Sequence, residues 1–224
     1  MITQRLSESW IDDTLGADWV SESCINGPVT LSSRSFSDPS RGILLSRECV
    51  LDVPGKFFAE TLLVYPQTEE IFPIFGSEYI AMGRGCFGAV DFHPVQSENN
   101  QIPPHFDHFP LRTVARSPHY DLDRHFSPVL WHHKSPDDFY GEFASTASTR
   151  LRHYLGVLSP SKTLEPGRFS SFDTYMALND PARGILRAHF SAEFADEYIR
   201  RFLFPHGRCD SELGHVHADQ PGGD

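Results

Sequence analysis

The sequence has no C-x-x-C pair; its four cysteines, Cys24, Cys49, Cys86 and Cys209, are scattered along 224 residues. That spacing points to neither a zinc ribbon nor a small disulfide scaffold, and it sets the expectation of a reduced, cytoplasmic setting, with a plastid also admissible. No run approaches the roughly 18 consecutive apolar residues of a membrane span. The opening "MITQRLSESWIDDTL" lacks the basic start and apolar stretch of a secretory signal. Positive charge is scarce as well: 19 Lys and Arg stand against 30 Asp and Glu, a formal net charge of −11. Such a balance argues against nucleic acid as the main partner, because phosphate binding needs a basic surface. Three common catalytic signatures are missing: a G-x-S-x-G elbow, an H-E-x-x-H helix pair and a glycine-rich nucleotide loop. The segment "GRGCFG" resembles such a loop, but it sits in a hairpin turn with no helix behind it.

Aromatic and histidine residues are abundant, with 18 Phe and 12 His. The phenylalanines suit a thick core or an apolar pocket. The histidine groupings "HFDH" (His105, Asp107, His108), "WHH" (His132, His133) and "HVH" (His215, His217) lack the spacing of an ordered metal site.

Hydrophobic periodicity divides the chain. Trp10 and Leu6, with Ile2, mark a short N-terminal amphipathic helix. Strands follow in "GPVTLSSRSF", "GILLSRECVLDV" and "KFFAETLLVY", the last two joined by Pro54-Gly55, the signature of a type II turn. A second hairpin joins "SEYIAM" to "CFGAVDF" across Gly83-Arg84-Gly85, and "FSPVLWHHK" reads as one more strand. Short turns between successive strands predict an antiparallel meander. From Ser135 the period changes. Ser135 reads as a cap and Pro136 as a first helical residue, and Phe139, Phe143, Ala147, Leu151, Tyr154 and Leu155 form a helical stripe that Gly156 ends. Further helices are expected over 168–179 and 181–204, and the polar tail 206–224 is expected to be disordered. Strands first and helices mostly later predict an antiparallel sheet covered by helices.

One charged residue breaks the pattern. In "PIFGSEYI", alternation puts Glu78 on one face of the strand with Ile80 and Met82. Two readings stand. The face meets solvent and the carboxylate is hydrated, or the face lines a pocket where desolvation raises its pKa and makes it a proton donor near neutral pH. Asp180, directly before Pro181, is equally double: a helix N-cap, or a cap with chemistry added.

The stretch "YPQTEEIFPIFGSEYIAMGRGCFGAVDFHP" resembles the core hairpin of the ferredoxin-dependent bilin reductases, in Tyr65-Pro66, in Pro73 to Glu78 and in Asp91 to Pro94. "YMALNDPARGILRAHFSAEFADEYIRRFLFP" resembles the family's ending, and "RHFSPVLW" its Phe-Ser strand. The likeness runs in order from about residue 40 to 205. It implies an α/β/α three-layer sandwich, a central antiparallel sheet with helices on both faces, forming one bilin reductase domain over 1–205. It implies reduction of a linear tetrapyrrole, biliverdin IXα or 15,16-dihydrobiliverdin, to a phycobilin by sequential one-electron transfers. Glu78 and Asp180 map onto the two proton-donating acids, approaching the pigment from opposite sides. Asn179, Thr61, Arg116 (toward a propionate) and Glu48 map onto substrate-binding positions, Glu48 with a one-residue gap. No metal or flavin is implied. Reduced ferredoxin, with its 2Fe–2S cluster, is the electron donor and partner, and other bilin reductases or haem oxygenase are candidate further partners. Ferredoxins are acidic, so Arg183, Arg187, Arg200 and Arg201, with Arg150 and Arg152, are candidates for a local basic patch. The chain departs from the family pattern at Glu78, where aspartate is usual, and at Thr61, where histidine or asparagine is usual. The glutamate also resembles that of red chlorophyll catabolite reductases. The threonine leaves room for a bilin-binding carrier without turnover.

Overall fold

The computed structural model describes residues 7–16, 18–68, 70–96, 104–113, 117, 119–162 and 167–207. Seven strands form one sheet in strict sequence order: β1 (Val20–Asn26), β2 (Val29–Asp38), β3 (Ile43–Val53), β4 (Phe57–Pro66), β5 (Ile74–Met82), β6 (Gly85–His93) and β7 (Trp131–Ser135). Each pairs antiparallel with the next. The meander follows from its turns. At Pro54-Gly55 the Lys56 N–H reaches the Val53 carbonyl at 2.9 Å, and Gly55 takes φ 72°, a value that favours glycine. The β5–β6 turn holds two residues, Gly83 and Arg84, because Gly85 already pairs with Met82.

Alternation then sends side chains to two cores. On one face Phe58, Leu62, Val64, Phe75, Tyr79, Val90 and Phe92 pack against Trp10, Ile11 and Leu15 of α1 (Ser7–Leu15) and against α2 (Tyr140–Val157). The buried stripe of α2, Tyr140, Phe143, Ala147, Leu151 and Tyr154, is the one its spacing predicts. On the other face Leu51, Leu63, Tyr65 and Ile74 meet α3 (Ser170–Asn179), α4 (Ala182–His189), α5 (Ala192–Glu197) and a π-helical turn, Tyr198–Leu203. The result is the expected helix–sheet–helix sandwich.

Several boundaries differ from expectation. Ser135 ends β7, and α2 starts at Tyr140, whose N–H is accepted by the Asp138 carboxyl at 2.9 Å. Gly156 lies inside α2. The single helix expected over 181–204 is three pieces, because the Ser191 hydroxyl accepts from the Phe194 N–H and starts a new helix at Ala192. The tail from 208, with His215 and His217, lies outside the described residues.

A buried carboxyl pins each core. Glu60, on β4, accepts from Trp10 Nε1 at 3.1 Å and from the Tyr140 hydroxyl at 2.9 Å, tying α1 and α2 to the sheet. Asp173, on α3, accepts from the Tyr65 hydroxyl at 2.9 Å and the His206 N–H at 2.7 Å. Burial raises both groups to about 7, against the opposing pull of those hydrogen bonds.

A raised folded pKa means that the native state holds its proton where the unfolded chain has already released it. Stability therefore falls as pH rises from the ordinary glutamate range, near 4.5, through about 7. Glu60→Gln should flatten the decline of melting temperature between pH 5 and pH 8, with part of the slope left to Asp173. The difference corresponds to a few kcal/mol at most, on the order of 1.4 kcal/mol for each tenfold gain in proton affinity on folding. Identical slopes in the two proteins would show that Glu60 ionises freely.

Candidate active site

The second face of the sheet carries one rung of small and polar side chains. Register aligns Ser33 with Cys49, Cys49 with Thr61, Thr61 with Glu78, and Glu78 with Ala89, whose partner is His132. Glu78 thus projects from the middle of the sheet toward the helices, away from the core that holds its neighbour Tyr79. It is half-buried, and among the described residues none donates a hydrogen bond to it. This sets it apart from Glu60 and Asp173, which are closed off by their donors.

Asp180 comes from the opposite layer. It follows α3, and its Oδ1 accepts from the Ala182 N–H at 2.7 Å, opening α4. The cap predicted for this residue is therefore present, and its carboxyl is half-buried too. The fold brings it close enough to Glu78 for its charge to be felt there. Burial, and then the charge of Asp180, push Glu78 up to about 8. Burial pushes Asp180 up to about 6, while the Ala182 N–H and the Arg183 guanidinium pull the other way. Both keep some solvent contact yet are desolvated by the protein around them, as groups lining a recess between sheet and helical layer would be. At neutral pH the sheet acid holds its proton.

The other expected site residues divide. Thr61 is half-buried directly beside Glu78. Asn179 is exposed at the end of α3, its amide donating to the Tyr175 carbonyl at 2.7 Å. Glu48 does not line the recess: it lies on the α1 face, 2% exposed, in an ion pair with Arg34, which also holds Asp12 at 2.7 Å. Strand parity is the reason, since one residue of offset changes the face. Cys49 occupies the recess side instead. Arg116 lies outside the described residues.

Two tyrosines that no local pattern in the sequence marks also belong to this side of the sheet. Tyr198 bridges Ser33, at 2.6 Å, and Cys49, whose thiol burial pushes up to about 12. Tyr120 is raised by burial and then by the charges of Asp180 and Glu78. These residues meet only through the sheet register and the helix layer.

The Asp91-to-Pro94 and "HFSP" segments form one buried latch. Asp91 Oδ2 accepts from the Ser127 N–H at 3.0 Å, and its Oδ1 accepts from the Ser127 hydroxyl. His93 Nδ1 lies 2.9 Å from the His125 carbonyl. The His93 ring packs so closely over Gly76 that a Cβ there would sit 2.5 Å from Nε2, so β5 needs glycine two residues before Glu78. The latch holds β6 to the segment leading into β7. Among the described residues, no group of three or more His, Cys, Asp or Glu side chains is placed to hold a metal ion. Nor is any helix among them long and apolar enough to cross a membrane.

The fold is an α/β/α sandwich with one desolvated carboxyl on its sheet and a second in its helical layer. The family model of the ferredoxin-dependent bilin reductases matches residues 60–205, and the chain belongs to that family. It is 24% identical over 184 residues to a 15,16-dihydrobiliverdin:ferredoxin oxidoreductase of Prochlorococcus marinus, covering 72% of this chain and 75% of the relative. It is 25% identical over 215 residues to a phycoerythrobilin:ferredoxin oxidoreductase of the same organism, covering 84% and 83%. The solved structure of tomato phytochromobilin synthase in complex with biliverdin superposes with a TM-score of 0.68 at 16% identity, over 95% of this chain and 85% of that one. The chain is accordingly an oxidoreductase.

Charge coupling between the two acids predicts a measurable dependence. In Asp180→Asn, which keeps the cap acceptor, the Glu78 carboxyl should titrate lower than in the parent but still above the ordinary glutamate range, since burial is the larger cause. Carboxyl-selective NMR or difference infrared titration reads this directly. An unmoved Glu78 would mean that the two groups do not share one recess.

Proposed function

We propose that this protein reduces a linear tetrapyrrole, biliverdin IXα or its 15,16-dihydro derivative, with electrons supplied by ferredoxin. Residues 1–205 form the reductase domain, and Glu78 and Asp180 supply the protons. The observation that carries the reading is that these two carboxyls, one on the sheet and one in the helical layer, are both desolvated and that the charge of Asp180 acts on Glu78. Relatives named for bilins and ferredoxin support the substrate class and the donor.

The chemistry follows from charge. An electron added to the conjugated pigment makes a radical anion, a stronger base than the neutral pigment. Glu78 holds a proton at neutral pH and gives it to that anion. A second electron and a second proton complete reduction of one double bond, so two electrons and two protons are consumed. Asp180, at about 6, holds its proton less tightly. It is loaded when the pigment displaces water from the recess, which disfavours the ionised form further. Position decides regiochemistry: each acid can protonate only the carbon or nitrogen within its reach. Thr61 offers a hydroxyl beside Glu78 and no ionisable group, so it adds no second acid next to Glu78.

The test uses purified protein, biliverdin, a 2Fe–2S ferredoxin and a reductant, followed by absorption spectroscopy. The parent should bind the pigment and convert it to a blue-shifted product. Glu78→Gln should bind it with similar affinity and turn over about a hundredfold more slowly or worse. The parent's rate should fall as pH rises through about 8, where Glu78 loses its proton, and the variant should lack that limb. Binding without any spectral conversion would identify a carrier. Conversion only of a chlorophyll-derived bilin would place the protein with the chlorophyll catabolite reductases.

A further inference from the structure

An acidic electron carrier meets a chain of formal charge −11, so it must be oriented by a local positive field. Three arginines of the helical layer are already engaged. Arg183 and Arg187 both bind Asp196, the second at 3.3 Å, and Arg201 binds Glu197 at 2.8 Å. Arg150 is 4% exposed on the opposite side of the sheet, donating to the Val129 carbonyl at 2.6 Å.

The open end of the sheet differs. Lys56 closes the β3–β4 turn and Arg84 the β5–β6 turn, and pairing of Phe57 with Met82 puts these turns side by side. Lys134 lies one strand further, opposite Phe87 on β6. All three cations are exposed, and among the described residues none has a carboxylate partner. Met82, 50% exposed, stands among them. Two exposed acids, Asp137 and Asp138, lie alongside, the second accepting from the Tyr79 hydroxyl at 2.7 Å, and the three cations outnumber them.

This cluster adjoins the recess. Lys134 shares a sheet face with His132, which ends the rung running through Ala89 from Glu78. Two strand spacings separate His132 from Glu78, roughly 10 Å, and Lys134 is two residues further along β7. A partner seated here would stand at the lip of the site. Among the described residues, no helix of the second layer pairs closely with β6 or β7.

We propose that Lys56, Arg84 and Lys134, around Met82, form the docking surface for the acidic iron–sulfur electron donor. This rests on the ferredoxin dependence proposed above. A cationic ring around an apolar centre fits an acidic protein whose own cluster lies near its surface, and it puts that cluster against the edge of a pigment lying over Glu78.

Direct binding tests the surface without turnover. A plant-type 2Fe–2S ferredoxin, oxidised, is titrated calorimetrically into the parent, into the triple variant Lys56→Glu/Arg84→Glu/Lys134→Glu and into Arg201→Glu. The parent should bind with an affinity that falls as salt is raised. The triple variant should lose about tenfold or more, and Arg201→Glu should stay within about twofold. Biliverdin affinity, measured by absorbance, and circular dichroism should be the same in all three. Undiminished ferredoxin binding in the triple variant overturns the proposal, as does an equal loss in Arg201→Glu. Loss of biliverdin affinity in the triple variant also overturns it, because the cations would then be holding the pigment's own carboxylates. If the parent reduces biliverdin with a small chemical donor but binds no ferredoxin, the surface is wrong while the pigment chemistry stands.

Discussion

Withdrawing a carboxyl group from water disfavours its charged form, and four raised acids among the described residues show two ways of living with that. Glu60 and Asp173 are enclosed and each takes two hydrogen bonds, so they join helices to the sheet. Glu78 has no such donors among the described residues, and Asp180 spends one oxygen on a backbone N–H. Their neutral forms are favoured because nothing in the protein fully replaces water around the ionised ones. The sheet and the helical layer hold these two carboxyls close enough for the charge of Asp180 to act on Glu78.

Holding them demands stiffness on both sides. The sheet supplies one side through its register, which fixes Glu78 between Thr61 and Ala89 and on the face opposite Tyr79. The latch of Asp91, Ser127 and His93 secures the next strand and crowds Gly76, so β5 cannot easily shift. The helical layer supplies the other side. Asp180 is placed by the junction of two helices, and the Asp173–Tyr65 bond fastens the first of them to β4. Both acids thus sit on elements tied to the core rather than on free loops.

Charge is distributed with the same economy. Arg183 and Arg187 are paired with Asp196, Arg201 with Glu197, and Arg34 with Asp12 and Glu48, so these pairs contribute to local packing more than to a long-range field. The cations without carboxylate partners at the β3–β4 and β5–β6 turns stand out against an acidic whole.

Much of the architecture was legible in the chain alone. Pro54-Gly55 and Gly83-Arg84 specify tight turns whatever surrounds them, and the α2 stripe follows from the helical period, because both depend on neighbours in the chain. The same locality made Glu78 conspicuous, as a charge on a strand otherwise apolar. Local pattern failed where distance in the chain mattered. It left Glu48 free to be matched to the site, although strand parity turns it to the far face and gives the position to Cys49. It made one helix of 181–204, which the Ser191 cap divides. It could not see Tyr198 or Tyr120, which reach the recess from other layers. The sequence by itself determined the strand order, the turns and which residue was chemically out of place. Only the tertiary structure decided that Asp180 comes close enough for its charge to act on Glu78 and that burial, with that charge, raises the pKa of Glu78, because desolvation and charge coupling depend on what surrounds a group in space and not on what adjoins it in the chain.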